Sequence, residues 1–283
     1  DMSFGPTWSV LLGAAEDRLD DIPDESVSCC VTSPPYWGQR VYKGCPSSLG
    51  LESTQQAYVD SVVHICQSVR RVMHEAGTLW LNLGDGFYTT QTTNRNGATA
   101  HLGGSTVRGG GEYALPKRKD TSLKHKDLCG TPWTVAFALR ADGWYLRDAI
   151  VWHKPSPMPG GAPDRCVSSY EMVFMLTKSS TYYFDQDAMS EPGVTQKTRR
   201  MRNVWTIKSA SGNGWHFARM PQALAERCVS ASSREDDLVL DPFHGSGTTA
   251  YAAIDLGRRY VGIEPCEEYC TASETALRSY CDE

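Results

Sequence analysis

No run in the sequence reaches the roughly 18 apolar residues that a membrane-spanning helix needs, so no membrane crossing is expected. The ten cysteines are scattered, with no Cys-x-x-Cys and no paired His/Cys spacing. They read as small buried thiols in a reducing compartment, and no metal is expected. Cys266 and Cys270 could share a helix face, but two ligands do not make a zinc site. There is no Gly-x-Ser-x-Gly elbow, because position 244 is His, and His74-Glu75 lacks the second histidine of a zinc protease. No internal repeat is present. No signal peptide is visible either, but Asp1 precedes Met2, as in a trimmed or tagged chain, so that absence carries no weight.

The 283 residues are 40% apolar and 10% aromatic, enough for one large α/β domain with insertions or two small domains. A net charge of −5 argues against a general polyanion binder, but the charge is unevenly spread. Gly86 to Thr131 holds seven Lys/Arg against three Asp/Glu. Val194 to Met220 holds six Lys/Arg and no acid, which leaves −15 on the rest. Two basic segments on an acidic body predict a local contact surface for an anionic partner. The bland alternative is two solvated loops.

Hydrophobic period and turn residues predict the element order. A strand at Trp8–Gly13 is followed by an acidic helical stretch over residues 14–22 and a strand over 27–31. A helix runs from Gln55 to His74, and a strand from Thr78 to Leu83 ends at Gly84-Asp85-Gly86. Residues 89–130 are irregular and rich in glycine. A helix over 132–142 leads to a strand from Tyr145 to His153 and another from Glu171 to Thr177, with Tyr182-Tyr183-Phe184 as its hairpin partner. Val204–Ile207 interrupts a basic loop. A helix over 219–231, a strand Asp237–Asp241, a helix Thr248–Leu256, a strand Arg259–Ile263 and a last helix Cys266–Tyr280 complete the chain. Strands alternate with helices, so the sheet should be largely parallel and doubly wound.

One corner stands out. Val27–Val31 is an apolar strand, and Thr32-Ser33-Pro34-Pro35-Tyr36 follows it. Two prolines forbid helix and ladder pairing and leave a stiff extended turn at the strand's carboxyl end, where open α/β sheets place ligands. Ser33 brings a hydroxyl, Pro34 a carbonyl of fixed direction and Tyr36 a flat face. That set suits an amino group on a planar ring. Alone, the corner could equally be a turn with an aromatic plug.

The second feature is Asp241-Pro242-Phe243-His244-Gly245-Ser246-Gly247, where a strand turns into a helix beginning at Thr248, with Glu264 ending the next strand. Gly245 and Gly247 let a ligand approach the backbone, and Glu264 is placed to accept from ribose hydroxyls. Gly245-x-Gly247-x-x-Ala250 fits a dinucleotide fingerprint. Asp241 beside the glycines favours a cationic ligand over a diphosphate, which points to S-adenosylmethionine.

With both motifs quoted, the chain resembles the beta group of amino-methylating DNA methyltransferases, in the branch that methylates N4 of cytosine. Thr32-Ser-Pro-Pro-Tyr36 matches the family's catalytic motif and Asp241-Pro-Phe-x-Gly-Ser-Gly-Thr-Thr249 its cofactor motif, in the beta-group order. Lys126–Trp133, Gly143–Asp148 and Trp152-His-Lys-Pro155 also resemble family segments. So does His216-Phe217-Ala218-Arg219-Met220-Pro221, which in this family helps close the cofactor pocket. The resemblance covers most of the chain and implies a Rossmann-like S-adenosylmethionine-dependent methyltransferase fold with inserted DNA-recognition segments. Four positions depart from the pattern: Ala14 stands where an adenine-contacting Asp is usual, His244 where a small residue is usual, Tyr170 where His is common, and Pro265 where Asn is common.

The resemblance implies catalysis by Ser33, Pro34, Pro35 and Tyr36. Ser33 and the Pro34 carbonyl would orient the target amine, and Tyr36 would stack a base flipped from the duplex, with Trp37 in support. Asp241, Pro242, Phe243, Gly245, Ser246, Gly247, Thr248, Glu264, His216, Phe217 and Ala218 would hold the cofactor. Lys117, Arg118, Lys119, Lys124, Arg199, Arg200 and Arg202 would contact DNA phosphates. Residues 1–85 and 132–193 would form the catalytic half and 221–283 the cofactor half. The basic parts would be 86–131 and 194–220. Serine ahead of Pro-Pro-Tyr favours cytosine, since adenine enzymes of this style more often carry Asp. The expected setting is intracellular, with DNA, and the oligomeric state is open. Three alternatives stand beside this reading: adenine or RNA as the target, a catalytically silent DNA-binding module, and a nicotinamide enzyme in which the corner would have no role.

Overall fold

The computed structural model describes residues 7–39, 49–89, 101–102, 105–106, 118–157, 159–160, 162–193, 197–210 and 220–282. In chain order the elements are β1 (Trp8–Leu12), α1 (Ala15–Arg18) with a 3-10 turn (Leu19–Asp21), β2 (Val27–Thr32), α2 (Gln55–Val72), β3 (Met73–Leu83), β4 (His101–Leu102) and β5 (Ser105–Thr106). Then come α3 (Thr131–Ala141), β6 (Tyr145–His153), β7 (Tyr170–Thr177), β8 (Ser190–Pro192), β9 (Thr198–Arg200) and β10 (Val204–Thr206). The chain closes with α4 (Gln222–Ser232), β11 (Leu238–Asp241), α5 (Thr248–Asp255), β12 (Arg259–Glu264) and α6 (Glu267–Asp282).

Eight strands form one sheet in the order β1-β12-β11-β2-β3-β7-β6-β10. Every neighbouring pair is parallel except those made by β7, which runs antiparallel to both β3 and β6. The crossover β2-α2-β3 moves outward on one side and β11-α5-β12 on the other. The order therefore switches at the β2/β11 boundary, and the carboxyl ends of those two strands face one crevice.

α2 starts at Thr54, whose hydroxyl accepts from the Ala57 N–H at 3.2 Å. Its stripe of Tyr58, Val62, Ile65 and Val69 is buried on one sheet face with Leu79, Leu81, Phe174 and Leu176. The opposite face packs Trp80, Val173, Met175 and Trp205 with Cys228 and Val229 of α4 and Ala250 and Ala253 of α5. Trp80 donates to the Ser232 hydroxyl at 2.8 Å, which ties β3 to α4. Asp85, just beyond β3, accepts from the Gly130 N–H at 3.0 Å at the start of α3.

Several expectations change. Residues 182–184 form no strand, and β7 finds its antiparallel partners in β6 and β3 instead. Aromatic β-propensity gave way there to pairing between longer strands. The acidic stretch 14–22 makes four residues of α-helix and one 3-10 turn. β3 begins at Met73, so the last residues assigned to α2 belong to the strand. Pro221 caps α4 from outside instead of sitting in its first turn. Cys29, Cys30, Cys66, Cys129, Cys228, Cys266 and Cys270 are buried, whereas Cys166 and Cys281 are exposed, and burial pushes the Cys29 and Cys66 thiols up to about 12.

Candidate active site

The two sequence motifs meet at the sheet's switch point. Thr32, the last residue of β2, donates through its hydroxyl to Asp241 Oδ1 at 2.6 Å, across 209 positions of chain. The same oxygen accepts from the Phe243 N–H at 3.0 Å, and Oδ2 accepts from the Thr249 hydroxyl at 2.9 Å. Asp241 therefore fastens the strand end, the glycine loop and the start of α5 to one carboxylate. Burial pushes its carboxyl up to about 6, against these three hydrogen bonds. Both oxygens are engaged within the protein, so its charge lies behind the loop.

Glu264 ends β12 in the same manner. Oε2 accepts from the Gly245 N–H at 2.9 Å and Oε1 from the Cys266 N–H at 3.0 Å. Burial pushes its carboxyl up to about 7, against those two bonds, and the nearby Asp241 adds to the rise. Gly245 and Gly247 take φ of +56° and +79°, the left-handed region where glycine costs least, and Gly247 opens α5. The loop's N–H groups thus meet a helix start and two acids.

His244 turns away from this loop. It is 3% exposed, with Nδ1 2.7 Å from the Tyr260 hydroxyl and Nε2 2.9 Å from the Ser273 hydroxyl. A Cβ at Gly262 would stand 2.5 Å from His244 Nδ1, so the absence of a side chain at 262 makes room for the imidazole. Ala14 precedes α1 and makes no side-chain cap, while Glu16 and Asp17 stand exposed in that helix's first turn.

At the corner, Tyr36 is half-buried and held by its hydroxyl. That group is 2.7 Å from Glu171 Oε2, 3.2 Å from Asn82 Oδ1 and 3.1 Å from Ser33 Oγ. Burial, then the Glu171 carboxylate, keeps the phenol well above its usual range. The ring lies against Gly84, where a Cβ would come within 2.6 Å of Tyr36 Cε2. Trp37, next in the chain, has anchors of its own. The indole donates to the Glu52 carbonyl at 2.9 Å and stacks on Tyr88 at 6.5 Å.

Set beside known proteins, residues 27–275 match the N6/N4 DNA methylase family. The Type II methyltransferase M.XycI of Xanthomonas campestris pv. cyanopsidis is 43% identical over 268 residues, 94% of this chain and 86% of its own. M.SmaI of Serratia marcescens is 40% identical over 272 residues, 95% of this chain and 90% of its own. The chain belongs to this DNA methylase family. Two solved structures share the fold. The PvuII DNA methyltransferase, described as cytosine-N4-specific, aligns with TM-score 0.69 at 21% identity and covers 95% of this chain and 86% of that one. A Thermus thermophilus protein, assigned as a DNA modification methylase and complexed with S-adenosyl-L-methionine, aligns with TM-score 0.62 at 25% identity, covering 95% and 93%. The protein is an S-adenosylmethionine-dependent DNA methyltransferase with a Rossmann-like α/β fold.

The cradle's chemistry fits that cofactor. Glu264 ends β12 beside positive-φ glycines whose backbone a ligand can approach, a set that suits a nucleoside-bearing ligand with a diol, and the carboxylates of Glu264 and of Asp241 behind the loop leave the site acidic, as a sulfonium requires. When bound, the cofactor supplies an electrophilic methyl on a sulfonium. His216, Phe217 and Ala218, expected to close over it, lie outside the described residues, as does Lys117.

The other residues expected at DNA are dispersed. The Arg118 guanidinium lies over Trp37 at 4.9 Å and Tyr88 at 5.7 Å, packed against Gly38, so it braces the aromatic stack beside the corner. Lys119 is exposed. Lys124 is 86% exposed and pairs with Asp127 at 3.2 Å. Arg199 and Arg202 both donate to Glu191 Oε1 at 2.9 Å, and Arg200 reaches Gln186 at 3.4 Å. The acid that partly neutralises this segment lies just upstream of the stretch counted as free of acids. A separate hollow of about 140 Å³ under the β8–β9 hairpin is lined by Trp80, Met175, Phe184, Met189 and Trp205. It contains neither motif.

Sequence reasoning assigned no role to Glu171 or Asn82, and it quoted Thr32, Thr249 and Lys154 only as members of the segments that carry the resemblance. The available signal for Glu171 and Asn82 was their position at strand ends.

Proposed function

We propose that this methyltransferase transfers a methyl group to the exocyclic N4 amine of a cytosine flipped out of DNA. The supporting observation is the Thr32–Asp241 hydrogen bond of 2.6 Å, because it brings the serine-bearing corner beside the glycine loop. The amine's lone pair is delocalised into the base ring and needs help to become nucleophilic. In this reading Ser33 Oγ and the Pro34 carbonyl accept hydrogen bonds from the two N–H groups and hold the nitrogen towards tetrahedral geometry. Pro35 stiffens the corner, and Tyr36 offers its face to the ring. Positioning supplies most of the catalysis. Pro242, Phe243, Ser246 and Thr248 complete the cofactor cradle around Asp241, Glu264 and the two glycines. Lys119 and Arg200 are the first cations proposed for DNA phosphates, while Lys124, Arg199 and Arg202 must open their pairs with Asp127 and Glu191 before they contribute. Serine at position 33, a weaker acceptor than a carboxylate, favours cytosine over adenine.

The test is product analysis. Plasmid DNA is incubated with protein and S-adenosylmethionine, digested to nucleosides and examined by mass spectrometry. N4-methylcytosine is expected, and N6-methyladenine would overturn the choice of base. If calorimetry showed DNA binding without cofactor binding, the protein would be a silent DNA-binding module.

A further inference from the structure

Glu171 lies 135 positions from Tyr36 in the chain, yet it is the acid at which the corner's polar groups converge. Oε2 takes the Tyr36 hydroxyl at 2.7 Å and the Asn82 amide at 3.2 Å. Oε1 is ion-paired with Lys154, whose ammonium also lies 4.4 Å from the Trp152 ring centroid. The two side chains are 17% and 21% exposed. An ion pair at that depth gives back little more than its desolvation cost, so stability does not account for it.

The direction of the hydrogen bonds follows from the groups themselves. An ionised carboxylate can only accept, so Tyr36 must donate to Glu171. With its one proton committed, the Tyr36 oxygen accepts, and Ser33 Oγ at 3.1 Å donates to it. The chain therefore runs Ser33 to Tyr36 to Glu171, and the lone pairs of Ser33 Oγ are its open end.

We infer that Glu171 is the terminus of a proton relay for the methyl transfer, a positioning residue that acts through Tyr36 and Ser33. The inference rests on the exocyclic-amine reading above. The amine lone pair forms the new N–C bond while the C–S bond breaks and leaves its electron pair on sulfur. One N–H bond of the cationic nitrogen then returns its pair to nitrogen and passes its proton to Ser33 Oγ. Ser33 hands its own proton to Tyr36, and Tyr36 hands its own to Glu171 Oε2. The net change is one proton moved from nitrogen to carboxylate.

A purely structural role gives a different result for Glu171→Gln. The amide oxygen still accepts from Tyr36 and preserves the ring's orientation, but it cannot take the proton. Among the described residues, Tyr36 and Lys154 are the titratable groups hydrogen-bonded or ion-paired with Glu171. Neither is changed in that variant. The experiment compares native protein, Glu171→Gln, Tyr36→Phe and the double variant in single-turnover transfer of tritiated methyl from S-adenosylmethionine to plasmid DNA, across a range of pH. Cofactor and DNA affinities are measured separately. Each single variant should lose about 100-fold in rate, a typical general-base contribution. Affinities should stay within about twofold, and the double variant should be no slower than the slower single one. The residual rate of Glu171→Gln should climb with pH, as solvent hydroxide takes over. A Glu171→Gln rate within about threefold of native, losses that multiply, or a loss confined to affinity would overturn the relay. If Glu171→Gln fails to fold by thermal melting, Tyr36→Phe, which keeps the ring and removes only the proton carrier, decides alone. The same digests identify the product. N6-methyladenine in the native reaction would remove the cytosine assignment and leave the relay standing, whereas methyl on a ring carbon would remove both.

Discussion

Acids stand at the ends of neighbouring strands on both sides of the crevice, but they are held in opposite ways. In the cofactor cradle, Asp241 and Glu264 are satisfied mainly by backbone N–H groups and threonine hydroxyls, and burial lifts both carboxyls, to about 6 and about 7. At the Ser-Pro-Pro-Tyr corner, Glu171 is satisfied by a tyrosine hydroxyl, an amide and a lysine ammonium. Backbone donors cannot move without unravelling a loop, so the cradle is a fixed frame. Side-chain donors carry protons that can be exchanged, so the corner can take part in chemistry. The same carboxylate group thus serves as scaffold on one side and, in the proposed relay, as a proton acceptor on the other.

The strongest break of this contrast is Ser33→Ala, which should lower transfer by about 1000-fold while cofactor affinity and melting temperature hold. Changing Pro34 and Pro35 together to alanine should do the same, and full activity in either variant would refute the corner's role. Next is Asp241→Ala, which strands the Thr32 hydroxyl and the Phe243 N–H and leaves the Thr249 hydroxyl to the Val31 carbonyl at 3.2 Å. It should cost about 3 kcal/mol of stability in denaturant titration. A loss of activity without loss of stability would show that the carboxylate is no frame. His244→Ala follows, at about 2 kcal/mol from a buried cavity and the lost hydrogen bonds to the Tyr260 and Ser273 hydroxyls, with cofactor affinity unchanged. Gly84→Ala should push the Tyr36 ring and slow transfer about tenfold, with cofactor affinity intact, because its Cβ meets Tyr36 Cε2 at 2.6 Å.

The smallest effect is on pH dependence. The folded carboxyls of Glu264 and Asp241 titrate above their ordinary values of 4.5 and 3.8. Between the two sets of values the folded state binds more protons than the unfolded one. This contribution to stability is complete below the ordinary values and is lost as pH rises through about 6 to about 7. A cationic cofactor prefers the ionised acids, so its affinity should move the other way and tighten through the same window. Glu264→Gln should flatten both curves, read by melting of the cofactor-free protein and by calorimetry.

Much of this was legible in advance where the signal was local. The apolar run of β2, the proline corner, the glycines after β11 and the acid at the end of β12 each announce themselves within a few residues. The cradle and the corner are both built from such runs. What the sequence hid depends on pairing between distant strands. Glu171 reaches Tyr36 only because β7 runs antiparallel beside β3, with Leu83 opposite Met172 and Asn82 opposite Val173. Nothing within β7 declares that direction. The aromatic run at 182–184 read as strand for the same reason: propensity is local, and partner choice is not. His244 looked like an intrusion until Gly262, Tyr260 and Ser273 were seen to receive it.

The position of β11 between β2 and β12 carries a consequence for synthesis. Among the described residues, β1 pairs in the main sheet with β12 alone, which is made long after it. While the nascent chain lacks β11 and β12, β1 has no neighbour and β2 exposes one edge, so both are open to pairing with other chains. The catalytic corner also leaves the ribosome long before the acid that anchors it. A partly made or truncated chain, with those edges open and the strand that carries Asp241 missing, should therefore be inactive and prone to aggregate.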